Sequence, residues 1–323
     1  DGKVAFTASH ANHPAELFVS AGEDAPNKAV RLTNSNANLE GRAFGEQRIV
    51  RIRTRDGVFV EGMLILPPDY QEGTRYPMVI VAHGGPEAHF SDGWLTTYSN
   101  WGPLLGARGI ISWYPNYRSS TGYGVAFAVH DHGDPMGKEF DDHLDAIAHF
   151  DKQGMIDPKR VGLGGGSYGG YTAAWAATKE SKHFAAAVSF VPFVDIRTKW
   201  LTTDIPMEFY YVHYQEKWPW QQPELMADRS PLTHARSCDT PLLLLGGDSD
   251  PRVHPSQPHM LYRAVKYSTD TPVQYRGEGH GNRSNVNRMD YALRTLRWFE
   301  HYLLGDGDRR AKSLPPLDVP YPK

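Results

Sequence analysis

The chain has 323 residues and a mass of 36.2 kDa, with 40% hydrophobic and 22% charged residues, which suits one large α/β domain or two smaller ones and excludes wholesale disorder. Its 34 Lys and Arg against 37 Asp and Glu leave a net charge of −3, with no electrostatic footprint for nucleic acid or an anionic membrane, and its apolar runs are far shorter than a bilayer span. The single cysteine, Cys238, excludes an internal disulfide and a thiolate metal cluster, which fits a cytosolic chain but leaves export open. The chain starts at Asp1 without a charged, then apolar, leader, so it is expected to be a mature product or a fragment.

In chain order, residues 1–46 read as a short β unit. Val4–Ala8 and Glu16–Ser20 are strand-like runs around an Asn12-His13-Pro14 turn, followed by a stretch rich in Asn and Gly. So few strands bury little surface, and one blade of a β-propeller is the natural candidate. Arg48–Arg53 and Val58–Leu66 flank Asp56-Gly57, a hairpin signal, and Pro67-Pro68 ends the second strand. Short apolar runs then recur at Met78–Ala82, Ile110–Tyr114, Val161–Gly164, Ala185–Val191, Leu242–Leu245 and Pro272–Arg276, as buried parallel strands require. Helical patterns lie between and after them at Asp141–Phe150, Tyr168–Thr178, Ser256–Tyr267 and Asn285–Leu304. This alternation predicts a mostly parallel, doubly wound sheet with helices on both faces. The aromatic, Pro-rich insert 197–235 is expected to cap the sheet, and the tail 305–323 to form a surface arm.

The most informative segment is Gly165-Gly166-Ser167-Tyr168-Gly169, placed where a strand ends and a helix begins. It matches the nucleophile elbow G-x-S-x-G of an α/β hydrolase. Such a turn exposes the Ser167 hydroxyl, needs glycine two residues either side where strand and helix crowd in, and points a helix N-terminus at a developing oxyanion. Gly164–Gly169 also fits the dinucleotide pattern G-x-G-x-x-G. That fingerprint belongs after a first strand, with an acid at the end of the next strand; here several strands come first, and Ala185–Val191 runs into Pro192-Phe193 before Asp195.

A triad of this fold runs Ser, acid, His along the chain, each partner just past a strand. After Leu242–Leu245 come Asp248 and Asp250, between which spacing does not decide. His254 and His259 lie too close to the acid loop, and His301 lies late in a helix. His280, in Gly277-Glu278-Gly279-His280-Gly281, follows the last strand and is the expected base. The oxyanion donors are expected to be the Tyr168 N–H and a backbone N–H of His83-Gly84-Gly85-Pro86, after Met78–Ala82. His130-Asp131-His132 holds metal-ligand residue types, but lacks the helical spacing of a ligand pair and reads as a solvated loop. No metal or organic cofactor is expected. The aromatic residues Trp200, Phe209, Tyr210, Tyr211, Trp218 and Trp220 of the insert serve either as core packing or as an apolar substrate wall.

Taken together, His83–Pro86, Asn116–Gly124, Asp157–Val161, Gly166–Tyr171, Asp250–Val253 and Gly279–Gly281 resemble the catalytic domain of the prolyl oligopeptidase family of serine peptidases, over nearly all of 47–304. The His-Gly-Gly-Pro form is most similar to the acylaminoacyl-peptidase branch. Relatives with Tyr in place of His83 donate its hydroxyl to the oxyanion; here the resemblance implies the Gly85 backbone instead. It further implies Asp250 as the acid, Arg252 as a substrate-carbonyl ligand near P2, and Phe190, Val191, Phe193 and Val194 as the region of the S1 pocket. Ser119-Ser120 stands where relatives usually have Gly-Ser, which predicts a local loop change. Residues 1–46 resemble the last blade of the propeller that precedes the hydrolase domain in this family.

The implied function is hydrolysis of short peptides, of acylaminoacyl-, dipeptidyl- or oligopeptidase type, through a Ser167–Asp250–His280 triad. The alternatives are a carboxylesterase of the same fold, a non-catalytic peptide-binding fragment, and a nucleotide-binding oxidoreductase. Implied partners are short peptides, with the absent propeller portion or a second copy of the chain.

Overall fold

The computed structural model describes residues 3–21, 29–265 and 272–305. Three antiparallel strands, β1 (Lys3–His10), β2 (His13–Ala21) and β3 (Val30–Arg31), form a small sheet of their own. Buried Glu16 pins its open end. The carboxylate accepts from the Thr33 hydroxyl (2.5 Å) and the Ser35 N–H (2.9 Å) and pairs with Arg31 (3.1 Å). These bonds, Thr33 foremost, hold its pKa at about 2.

The remaining eight strands are β4 (Gln47–Arg53), β5 (Phe59–Ile65), β6 (Tyr76–Ala82), β7 (Ile111–Asn116), β8 (Ile156–Gly166), β9 (Ala186–Phe190), β10 (Leu242–Gly247) and β11 (Val273–Tyr275). They form one sheet in the order β11-β10-β9-β8-β6-β7-β5-β4. The hairpin strands β4 and β5 are antiparallel, and β6 to β11 pair in parallel. The principal helices are α1 (Lys138–Lys152), α2 (Tyr168–Thr178), α3 (Ile196–Thr202), α4 (Ser256–Val265) and α5 (Asn285–Leu304).

Burial on both faces explains why the central strands read as unbroken apolar runs. Along β6, Met78, Ile80 and Ala82 join Phe140, Ile147 and Trp175 of α1 and α2, whereas Val79 and Val81 join Phe299 and Leu303 of α5. Strand β10 repeats the division, with Leu242 and Leu244 against Leu261 of α4 and Leu243 and Leu245 on the α5 side. The sheet is therefore covered on both sides, as the alternating pattern requires.

Strand β8 is longer than its apolar run, because Asp157–Arg160 continues the extended backbone to the Tyr76–Ile156 pairing while its side chains reach toward solvent. The insert after β9 buries Trp200, Phe209 and Tyr214 but leaves Tyr211 and Trp220 exposed, so it serves both as core packing and as a cavity wall. Beyond Gly305 the expected C-terminal arm lies outside the described residues.

Candidate active site

Ser167 sits between β8 and α2 at φ 60° and ψ −118°, a left-handed backbone that a β-carbon resists. Two hydrogen bonds hold it there: its N–H donates to the Phe190 carbonyl (3.0 Å), and its carbonyl accepts from Tyr171 N–H (2.9 Å). A β-carbon at either Gly165 or Gly169 would collide with the Ala82 carbonyl oxygen of β6. This close approach is the steric reason for glycine on both sides of Ser167.

The loops after β10 and β11 bring a carboxylate and an imidazole to this turn. His280 Nε2 lies 2.8 Å from Ser167 Oγ, and its Nδ1 lies 2.8 Å from Asp250 Oδ2. Buried Asp250 accepts the Arg252 and Val253 N–H groups at Oδ1 (2.8 and 2.9 Å), which aims Oδ2 at the imidazole. With Nδ1–H donating to the carboxylate, Nε2 is free to accept the serine proton. Asp248 turns elsewhere: its exposed carboxylate accepts from Gly277 N–H (2.7 Å) and the Ser249 hydroxyl (2.9 Å). Glu278 steadies the histidine loop by accepting from Arg283 N–H, Ser284 N–H and Asn287 Nδ2 at the start of α5.

Gly84 and Gly85 pass beside the serine. A β-carbon on Gly84 would lie 3.2 Å from Ser167 Cβ, and Gly85 borders the same cavity as Ser167 and Tyr168. His83 lines a second cavity beside Ser167, and its ring is held by its own neighbours. Its Nδ1 donates to the Gly84 carbonyl, its Nε2 accepts from the Ser120 hydroxyl (both 2.8 Å), and its ring stacks on Tyr117 at 4.3 Å. Burial lowers its pKa to about 4, so the imidazole is neutral and both nitrogens are engaged. The neighbouring Ser119 adopts φ 91°, a conformation suited to glycine, and its hydroxyl meets Glu139 (3.2 Å) and the Asp131 N–H (3.1 Å). Glu139 also accepts the Tyr168 hydroxyl, and burial drives its pKa well above the usual carboxylate range.

Two cavities flank the Ser167–His280 pair. One, of about 310 Å³, is lined by Tyr168, Phe193, Phe209, Tyr214 and Arg252; the other, of about 290 Å³, by Phe90, Tyr98, Phe190 and Val191. The four apolar residues expected at one pocket are thus divided. Val191 bends the chain at φ 44°, so Phe190 and Val191 face one cavity and Phe193 the other. Val194 lines neither: it is buried among Ala174, Leu244 and Leu261.

Arg252 borders the larger cavity, where its Nε donates to Asp204 Oδ1 (2.6 Å) and its Nη2 to Oδ2 (3.3 Å). Sequence reasoning missed Lys199, Glu208 and His213 on the same wall. Lys199 is buried and donates to Thr203 Oγ1 (2.7 Å) and the Arg252 carbonyl (2.6 Å); burial lowers its pKa to about 7. Asp131 and His213 also border the cavity, and with His132 and Glu87 they make a cluster of four residues able to ligate a metal. His130 is exposed and stands apart from them.

A serine on a strand-to-helix turn, with a histidine and an aspartate brought to it by the loops after later strands of a doubly wound sheet, is the arrangement of an α/β hydrolase. Residues 97–306 match the sequence model of the prolyl oligopeptidase family, and the chain belongs to that family. It is 32% identical over 308 residues to the uncharacterized peptidase YuxL of Bacillus subtilis, covering 90% of this chain and 44% of that one. It is 32% identical over 268 residues to dipeptidyl aminopeptidase BIII of Pseudoxanthomonas mexicana, covering 78% and 38%. Among solved structures it is similar to the acylaminoacyl peptidase of Pyrococcus horikoshii, with a TM-score of 0.80, 25% identity, and coverage of 94% of this chain and 48% of that one. The chain therefore spans less than half the length of these relatives. Among the described residues, no helix is long and apolar enough to cross a membrane.

Proposed function

We propose that residues 47–304 are the catalytic domain of a serine peptidase that hydrolyses short peptides. The supporting observation is the continuous hydrogen-bonded line Asp250–His280–Ser167 between two cavities. In this reading Ser167 Oγ attacks the scissile carbonyl carbon while His280 Nε2 takes the hydroxyl proton. The proton passes to the leaving amine as the C–N bond breaks, and water then hydrolyses the acyl-enzyme by the same route. Asp250 holds the imidazole tautomer and stabilises the imidazolium. The N–H groups of Tyr168 and Gly85 receive the oxyanion; one such donor contributes about 3–4 kcal/mol in comparable sites.

The aromatic rings of Phe193, Phe209 and Tyr214 in its lining support the reading of the larger cavity as the seat of an apolar P1 side chain. Arg252, on its rim, donates to a substrate carbonyl near P2. The three-stranded sheet, separate from the main one, is read as the remnant of a propeller's last blade, so the propeller portion of a longer chain is the implied partner.

A fluorophosphonate probe tests the nucleophile: it labels the chain and fails to label Ser167→Ala. Matched amide and ester substrates test the reaction. Turnover of the ester alone would make the chain a carboxylesterase, and unchanged turnover by Ser167→Ala would reject Ser167 as nucleophile.

A further inference from the structure

Three loops distant in sequence converge beside the larger cavity. Glu87 follows β6, Asp131 and His132 follow β7, and His213 belongs to the insert after β9. One ligand atom each from Glu87, His132 and His213 lies within 4.8 Å of the others. We propose that Glu87, Asp131, His132 and His213 form a binding site for a divalent transition-metal ion, with zinc the best fit, in the wall of the substrate cavity.

The spacing suits a tetrahedral ion. Ligands 2.0–2.1 Å from a zinc centre stand about 3.3 Å from each other. Here Glu87 Oε1 lies 2.9 Å from His132 Nε2 and 3.5 Å from His213 Nδ1. Asp131 stands at the edge of this trio, with Oδ2 3.9 Å from His213 Nδ1 and Oδ1 4.0 Å from His132 Nε2, and would have to close in to ligate the same ion. Two imidazoles with two carboxylates favour zinc over calcium or magnesium, which take oxygen ligands.

A second observation is independent of this spacing. Asp131 is 2% exposed and His213 is 8% exposed, yet Asp131 Oδ1 and His213 Nδ1 have no hydrogen-bond partner. Both belong to the same cluster. Buried polar atoms without partners are rare because each costs the desolvation of an unmade bond. An ion bound between them would satisfy both. Glu208 Oε1 lies 3.5 Å from His213 Nε2, on the far side of the ring. A proton held on Nε2 by that carboxylate leaves the Nδ1 lone pair for the metal, the arrangement in which an outer carboxylate orients a ligating histidine.

Such an ion would tie the insert to the loop after β6, which also carries Gly85, and to the loop after β7. Asp131, His213 and Glu208 line the cavity, so the ion would also neutralise its acidic corner. The site stands or falls independently of the peptidase reading, because its test measures binding.

The experiment uses the whole chain, freed of metal by a chelator and dialysed. Zinc is titrated by calorimetry, and cobalt is followed by visible absorption as a reporter of coordination geometry. The expected result is one ion per chain, a tetrahedral cobalt spectrum and a metal-dependent rise in melting temperature. His132→Ala and His213→Ala should each weaken binding more than tenfold and remove that rise. Glu87→Gln is nearly isosteric and should do the same if an alanine variant misfolds. Ser167→Ala and His280→Ala should bind as the unaltered chain does. Unchanged zinc stoichiometry and affinity in the cluster variants, loss of binding in His280→Ala, or absence of zinc binding would overturn the proposal; in the last case the cluster is an ion-paired one, or a site for a substrate's ammonium group.

Discussion

Asp248 and Asp250, two positions apart on one loop, have opposite surroundings. Asp250 is buried and divides its oxygens between two backbone N–H groups of its own turn and the His280 ring. Asp248 is exposed and bridges to Gly277 at the foot of the histidine loop. If Asp250 is the triad acid, Asp250→Asn should lower kcat by about 10⁴, because the amide favours the wrong imidazole tautomer. Asp248→Asn should stay within a few-fold of the unaltered chain. Steady-state kinetics on one peptide substrate checks both, and the reverse ranking would reassign the acid.

Gly165 and Gly169 are expected to tolerate no side chain, since both back onto the Ala82 carbonyl. Gly165→Ala and Gly169→Ala should each destabilise the fold by about 1–3 kcal/mol, the usual range for overpacking. A lower urea midpoint with unchanged slope is the expected signature.

Arg252 and Asp204 are paired at the cavity rim, both about two-fifths exposed, so their pairing should add less than about 1 kcal/mol to stability. Arg252→Ala should therefore barely move the unfolding midpoint. If the guanidinium holds a P2 carbonyl, the same substitution should cut kcat/KM for peptides by about 1.5–3 kcal/mol and spare a small acetyl ester. Equal losses on both substrates would show that Arg252 supports the acid loop instead.

Lys199 should leave a mark on the pH dependence of stability. Burial lowers its pKa from 10.5 to about 7 in the folded chain. Between those values the unfolded chain binds the extra proton, so this residue makes stability rise with pH across that window. Lys199→Met should flatten the rise. Urea midpoints at about pH 7 and about pH 9 measure the difference, and an unchanged slope in the variant would show that Lys199 stays charged when folded.

The fold was legible because its signals are local. Strands buried on both faces must be apolar without interruption, helices must lie between them, and a serine forced to a left-handed turn between strand and helix needs glycine two residues either side. The chain order of Ser167, Asp250 and His280 follows from the same strand pattern. Tertiary structure decided matters that depend on loop paths. Spacing could not separate Asp248 from Asp250; burial and two backbone N–H groups distinguish their environments. Nor could it show that the backbone turn at Val191 divides Phe190 from Phe193, sends Val194 into the core, and so separates residues that sequence grouped in one pocket. The pairing of Arg252 with Asp204, and the meeting of Glu87, Asp131, His132 and His213, join residues from different loops. No periodicity connects such residues, because hydrophobic patterning records which face of an element is buried and carries no record of where the loops at the sheet's edge will meet.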